Sequence, residues 1–175
     1  MQNIFSIPIS ILKLKEQNNS SLVNYSKSNY DSEKKELNIK DKELKQLNKI
    51  VLKECEKFAS NYLINNLKLK IDRVWANVNI DKLIEVPHAH RNSFISAVYY
   101  PLAKNTQLII QSPFTISHLA HIDPDLISSF NEYNSDSFCI PVETGMLVIF
   151  NSMLVHHVLP TNNERVSIAY DLVLK

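Results

Sequence analysis

Two histidines separated by a single residue, His88 and His90, are the first feature of this sequence that could do chemistry. In an extended strand, residues i and i+2 face the same side, so both imidazoles can point into one cavity. Imidazole is a common ligand for iron, zinc, copper and nickel. Taken alone, a His-x-His pair indicates a metal site only weakly, because such pairs also occur on surfaces and in cores.

A second group of candidate residues lies near the C-terminus. Gly145, the chain's single glycine, precedes an apolar stretch, and a loop then delivers His156. Arg165 follows at the start of the last predicted strand. A guanidinium group holds a carboxylate through two parallel hydrogen bonds, a geometry that lysine cannot copy. This segment therefore offers a further metal ligand and a carboxylate-binding residue.

The order of these motifs is more specific than any one of them. His-x-His, then Gly-x-Leu-x-x-Phe, then His, then Arg-x-Ser resembles the 2-oxoglutarate/iron(II) oxygenase superfamily. The chain looks most like a group of uncharacterised members whose text reads W-x-N, H-x-H-x-N-S-x-x-S-G-V-Y-Y and D-P. The matching segments are Trp75-Ala76-Asn77, residues 88–100, in which Ala97 replaces the glycine, and Gln111-Ser112-Pro113. The resemblance covers residues 70–174.

The resemblance implies a fold and an activity. The fold is a double-stranded β-helix, a cupin-like jelly roll that is mainly β with an outer helix. The activity is that of a 2-oxoglutarate-dependent dioxygenase, usually a hydroxylase, with Fe(II) as cofactor and 2-oxoglutarate as cosubstrate. Carried over by position, His88 and His156 bind the metal and His157 points elsewhere. Arg165 pairs with the distal carboxylate of 2-oxoglutarate.

Further cosubstrate contacts are expected from neighbouring strands. Ser167, Asn77 and Tyr99 are placed to add hydrogen bonds, although Tyr99 and Tyr100 face opposite sides, so only one of them can look inward. Two more histidines, His118 and His121, lie in a long loop. They are either solvated or part of a lid that touches the substrate.

The third metal ligand is open at this point. The superfamily usually has His-x-Asp or His-x-Glu, but position 90 is histidine. Either His90 binds the metal, or only His88 and His156 do, or the loop supplies Asp123 or Asp125. Three neutral imidazoles leave an iron(II) centre at +2, which suits a dianionic cosubstrate. We therefore favour a three-histidine site.

Two other functions compete with the oxygenase. A three-histidine cupin dioxygenase would need no cosubstrate, and Arg165 would then hold the carboxylate of a small substrate. A non-catalytic β-barrel binding module would keep only a vestigial metal site. Turnover with and without 2-oxoglutarate distinguishes the oxygenase from the cupin dioxygenase, and a failure to bind metal would favour the binding module.

The elements that must position these residues follow from the apolar pattern. Residues 4–14 predict an edge strand, since Pro8 cannot donate to a ladder. Residues 16–40 have no clear period and are expected to be part helix and part loop. Residues 41–66 predict one amphipathic helix capped by Asp41. Residues 113–136 predict a long loop. Core strands are predicted at 69–79, 83–88, 94–102, 106–111, 137–140, 146–150 and 165–174.

Composition sets the class of protein. The 175 residues suit one domain, and 45% hydrophobic residues predict a globular fold. A net charge of +1 gives no reason to expect nucleic acid or an anionic membrane as a partner. Cys55 and Cys139 are expected to be buried, reduced thiols. With no signal peptide and no membrane span, a cytoplasmic protein is expected. The sequence does not decide whether the substrate is a protein or a small molecule, or whether the chain forms a homodimer.

Overall fold

A computed structural model describes most of the chain and defines its helices and strands. The described residues are 6–15, 17–31, 33, 35–61, 67–79, 85–113, 123–129, 131, 135–159 and 162–175. They form the helices α1 (Asn19–Ser28) and α2 (Lys45–Ser60) and a 3-10 turn, Pro124–Leu126. The strands are β1 (Ser10–Lys13), β2 (Leu69–Asn79), β3 (Ile95–Leu102), β4 (Thr106–Gln111), β5 (Ser137–Val142), β6 (Met146–Asn151), β7 (His156–Val158) and β8 (Arg165–Leu174).

The strands form two sheets that face each other. The larger sheet has five strands in the order β1-β6-β3-β8-β2, and the smaller has the order β5-β4-β7. Neighbouring strands within each sheet are antiparallel. This arrangement is the double-stranded β-helix that the sequence predicts.

The period of two along the strands divides the buried side chains between two cores. On β3, Ile95, Ala97 and Tyr99 pack toward the helices, while Tyr100 belongs to the core between the sheets. On β6, Leu147 and Ile149 likewise join the helix side. Because successive side chains point to opposite faces, the larger sheet covers its helices with one face and lines the space between the sheets with the other.

Helix α2 follows the predicted apolar stripe but is shorter than predicted. Leu47, Val51 and Cys55 are buried on one face of it. It begins at Lys45 rather than at residue 41, and no side chain caps it. The carboxylate of Asp41, predicted to cap the helix, instead accepts a hydrogen bond from the Tyr25 hydroxyl. Residues 62–66 lie outside the described part of the chain.

The scarcity of glycine is visible in the turns. Gly145, in the turn between β5 and β6, has φ +85, and its N–H donates to Tyr100 O at 2.7 Å. Among the described residues, Asn105 and Lys35 also have positive φ, at 50 and 51. Asparagine tolerates that region well, whereas lysine does so at a cost.

Several predicted boundaries need correction. The strand predicted at 4–14 is β1 alone within the described residues 6–15, although it does lie at a sheet edge. The strand predicted at 83–88 is absent from its described part, 85–88, where His88 makes a single bridge to His156. The short strand β7 was not predicted. Cys55 is buried as expected, but Cys139 is exposed; neither forms a disulfide.

Within the described ranges, neither α1 nor α2 is long and apolar enough to cross a bilayer.

Candidate metal centre

His88 and His156 are brought together by the backbone. The His88 N–H donates to His156 O at 3.0 Å, and the His156 N–H donates to His88 O at 2.9 Å. This reciprocal pair places the two side chains directly opposite each other, with ring centroids 4.6 Å apart. A chain entering the barrel at His88 is thus fixed in register against β7, which supplies His156.

His90 joins them on the same side. Its N–H donates to Ser152 O at 2.8 Å, and its ring lies 5.1 Å from each of the other two rings, centroid to centroid. One ring nitrogen from each histidine lies within 4.8 Å of those of the other two. The alternation predicted for His-x-His therefore holds, and three imidazoles converge on one point.

The hydrogen bonds of the three rings leave the same nitrogen available on each. His88 Nδ1 lies 2.8 Å from Val86 O, and His156 Nδ1 lies 2.9 Å from Leu154 O. His90 Nδ1 lies 2.6 Å from Asp171 Oδ1. Carbonyl and carboxylate oxygens only accept, so each Nδ1 carries a proton, and in the neutral ring each Nε2 keeps its lone pair. Metal-binding histidines are typically held in this way by an acceptor behind the ring.

His156 is the most buried of the three ligand candidates. Burial, together with the neighbouring His88 and His90, lowers the pKa of His156 to about 4, against the raising effects of the Leu154 carbonyl and Asp171. An imidazole that is neutral at physiological pH presents a lone pair to a metal without first losing a proton.

A buried polar network lies behind His90. Asp171, on β8, is 3% exposed. Its Oδ1 also accepts a hydrogen bond of 3.0 Å from the Ser96 hydroxyl on β3. Ser96 Oγ lies 3.0 Å from Ser152 Oγ, in the turn whose carbonyl holds the His90 backbone. The ring and the backbone of His90 are thus anchored together.

Arg165 is buried with few acceptors around it. It is 2% exposed, and its Nη2 lies 3.8 Å from Glu85 Oε1. Its Nε and Nη1 are buried without a hydrogen-bond partner. A guanidinium group carries five N–H donors, so this environment leaves most of its hydrogen-bonding capacity unused. A second carboxylate reaching Arg165 would supply the missing acceptors.

A cavity of about 280 Å³ opens between the sheets at the three histidines. Asn77 and Ser167, opposite each other in the β2–β8 register, both line it. Tyr99, which was predicted to bind the cosubstrate, does not line this cavity. Its side chain packs on the helix side of the sheet, and its hydroxyl donates to Asn19 Oδ1. Tyr100 lines the cavity in its place, and its buried hydroxyl has no hydrogen-bond partner.

The other predicted candidates lie elsewhere. Asp123 and Asp125, the alternative third ligands, are exposed and lie outside the histidine cluster; Asp123 Oδ1 accepts the Asp125 N–H at 3.1 Å. His157 is likewise outside the cluster. The suggested lid residues His118 and His121 fall outside the described residues.

Sequence reasoning missed Asp171 and Glu85, and of the two neighbouring tyrosines it assigned the cosubstrate contact to Tyr99 rather than Tyr100. Asp171 shares the parity of Arg165 and Ser167 on β8, so alternation could have found it. Glu85 gave no such signal, because its segment forms no strand in the described residues.

Fold and site together define a class of protein, a double-stranded β-helix with a histidine metal site and a buried arginine. The family described as "Putative 2OG-Fe(II) oxygenase" matches residues 73–171. The chain belongs to this family of 2-oxoglutarate- and iron(II)-dependent oxygenases. The sequence has no match among functionally curated proteins.

Solved structures share the fold at low sequence identity. A Pseudomonas putida prolyl-4-hydroxylase is 14% identical with a TM-score of 0.65, over 97% of this chain and 89% of that one. HygX from Streptomyces hygroscopicus, with iron bound, is 10% identical with a TM-score of 0.63, over 95% and 82%. The viral collagen prolyl hydroxylase vCPH from Paramecium Bursaria Chlorella virus-1, in complex with 2OG, is 12% identical with a TM-score of 0.60, over 94% of each chain.

Proposed function

We propose that this oxygenase hydroxylates its substrate at an iron(II) centre held by His88, His90 and His156. The observation that carries the proposal is the convergence of three imidazoles, each with its Nδ1 bonded to an oxygen acceptor. Three such ligands occupy one face of a metal and leave its other positions open, as a centre that binds both cosubstrate and dioxygen requires.

Arg165 is proposed to hold the far carboxylate of 2-oxoglutarate. Its buried Nε and Nη1 lack partners, and Glu85 is the one carboxylate paired with it among the described residues. Burying a cosubstrate carboxylate costs several kcal/mol unless it is paired and hydrogen-bonded. The Arg165 fork supplies that pairing, and Ser167, Asn77 and the Tyr100 hydroxyl add neutral donors nearby.

When bound, iron(II) with 2-oxoglutarate and O₂ supplies the oxidation, in which the cosubstrate becomes succinate and CO₂ and one oxygen atom passes to the substrate. The chain's own residues bind and orient. The histidines fix the position of the metal, and Arg165 sets the direction of the cosubstrate. The apolar cavity wall, including Val98, Leu108 and Val158, keeps water away from the reacting groups.

The test is succinate formation under air by the iron-loaded protein supplied with 2-oxoglutarate. We expect succinate formation to depend on both iron and 2-oxoglutarate, and to continue at a slow rate without substrate. His157→Ala, which alters a histidine outside the cluster, is the matched control and should retain it. Oxygen uptake that needs iron but proceeds equally well without 2-oxoglutarate would replace the proposal with a cosubstrate-independent dioxygenase.

A further inference from the structure

We propose that Asp171 is a positioning residue for the metal centre, acting through His90. This inference rests on the proposed function and assigns the group that makes His90 a competent third ligand. Asp171 does not reach the metal position itself, since it lies behind the His90 ring, bonded to Nδ1, and does not belong to the histidine cluster.

The contact between the two residues is short and shielded from water. His90 Nδ1 lies 2.6 Å from Asp171 Oδ1, with side-chain exposures of 12% and 4%. Because a carboxylate accepts and does not donate here, the His90 ring nitrogen must carry the proton. The tautomer of His90 is thereby fixed, and its Nε2 lone pair is directed at His88 and His156 before any metal arrives.

The carboxylate is itself held in place. Asp171 pairs with Ser96 across the β3–β8 ladder, and the Ser96 hydroxyl donates to Asp171 Oδ1 at 3.0 Å. Ser96 Oγ also lies 3.0 Å from Ser152 Oγ, so the hydroxyl that holds the carboxylate is itself in a hydrogen bond. The carboxylate therefore has little freedom to turn away from His90.

The charge of Asp171 is otherwise uncompensated. No Lys or Arg side chain of the described residues forms an ion pair with it, and its contact with the neutral His90 ring is a hydrogen bond at Nδ1. A buried carboxylate without a cation is costly. A divalent ion on the far side of the imidazole would balance that charge, and the three histidines bring no negative charge of their own. Asp171 thus supplies, one residue removed from the metal, the negative charge that a carboxylate ligand would supply directly.

The experiment is anaerobic titration of the full chain with Co(II), comparing wild type with Asp171→Asn. Loss of an acceptor behind a metal-binding histidine typically weakens metal binding about 10- to 100-fold, and we expect a loss in that range. Asp41→Asn is the matched control, because the Asp41 carboxylate also accepts a side-chain hydrogen bond, from Tyr25, away from the cluster. It should leave the Co(II) affinity unchanged.

A second pair of variants tests whether Asp171 acts through His90. In a His90→Asp background the third ligand is kept but the imidazole is gone, so adding Asp171→Asn should cost less than about threefold. An equal loss in both backgrounds, or no loss in wild type, would overturn the proposal.

If Asp171→Asn does not fold, nitrogen-15 NMR of the metal-free wild type tests the proposal by identifying which ring nitrogen of His90 carries the proton. His90 should carry its proton on Nδ1 alone; a ring protonated on Nε2, or exchanging between tautomers, would overturn the proposal.

Failure of the proposed oxygenase function can be distinguished from failure of the proposed Asp171 role. A wild type that binds Co(II) with the predicted Asp171 dependence, but makes no succinate, would refute the oxygenase mechanism and leave the Asp171 role supported. A wild type that binds no Co(II) would refute both.

Discussion

Arg165 and Asp171 lie on the same face of β8, and the cavity wall formed by Ser167 and Ala169 lies between them. The negative end of this row lies behind His90, and the positive end is a guanidinium short of acceptors. One strand thus carries an anion behind the histidine cluster and a cation that is proposed to bind the far carboxylate of 2-oxoglutarate.

Replacing His156 should abolish metal binding, whereas replacing its neighbour should not. His156→Ala removes one of three converging imidazoles, while His157→Ala alters a histidine outside the cluster. Isothermal titration with Co(II) under anaerobic conditions measures both. Loss of Co(II) binding in His157→Ala with retention in His156→Ala would show that the adjacent histidine, rather than His156, is the ligand.

Tyr100 should contribute to cosubstrate binding and Tyr99 should not. Tyr100→Phe removes a buried hydroxyl that has no partner in the cavity wall, while Tyr99→Phe removes one that already donates to Asn19 on the helix side. A neutral hydrogen bond contributes ~0.5–1.5 kcal/mol, so Tyr100→Phe should raise the 2-oxoglutarate KM about 2- to 10-fold. An effect of Tyr99→Phe on KM, rather than on thermal stability, would reverse the assignment.

Changes at Arg165 and Glu85 should shift cosubstrate affinity in opposite directions. Arg165→Lys loses at least one charge-assisted hydrogen bond, and at ~1.5–3 kcal/mol this weakens 2-oxoglutarate binding about 10-fold or more. Glu85→Gln removes the carboxylate now 3.8 Å from Arg165, so it should tighten binding. Metal affinity, measured in parallel, should stay unchanged in both. Weaker cosubstrate binding in Glu85→Gln would mean that Glu85 orients Arg165 rather than competing for it.

The secondary structure was largely predictable from the sequence because its signals are local, whereas the double-stranded β-helix came from the family resemblance. Alternation predicted β2, β4 and β8 with their observed bounds, and the apolar stripe of α2 is buried as expected. The edge position of β1 followed from Pro8. The predicted start of α2 at residue 41 was wrong, because the Asp41 side chain, although of a type that often caps helices, accepts a hydrogen bond from Tyr25 instead.

The site was predictable only where a motif or a parity rule reached it. The three histidines and Arg165 come from one motif order; the structure brings the histidines together and buries Arg165. The choice between Tyr99 and Tyr100 needed the direction in which β3 faces, which alternation alone does not give. Asp171 and His90 are 81 positions apart, so only the β3–β8 pairing and the turn at Ser152 bring them into contact.

Stability should fall steeply at alkaline pH. Burial raises the pKa of Tyr99 to about 12, and burial also raises the pKa values of Tyr100, Tyr170 and Cys55. Between the unfolded and folded pKa values the unfolded chain has lost protons that the folded chain keeps, so the free energy of unfolding decreases as pH rises. This window opens near pH 9 for the thiol and near pH 10 for the tyrosines.

Urea unfolding at a series of pH values measures this loss. Each such group lowers the free energy of unfolding by about 1.4 kcal/mol per pH unit within its window. The tyrosinate absorbance of these buried side chains should appear together with unfolding. Their ionisation near pH 10 in a protein that is still folded would contradict the burial described here.

Visible absorption of the anaerobic iron(II) protein during titration with 2-oxoglutarate tests the central claim most directly. Chelation of iron(II) by a 2-oxo acid produces a metal-to-ligand charge-transfer band, so it reports the metal site and the cosubstrate together without requiring the substrate. We predict that the band appears in wild type, is absent in His156→Ala, and in Arg165→Ala needs a much higher 2-oxoglutarate concentration. Iron binding without any such band at saturating 2-oxoglutarate, or a titration unaffected by Arg165→Ala, would contradict the account.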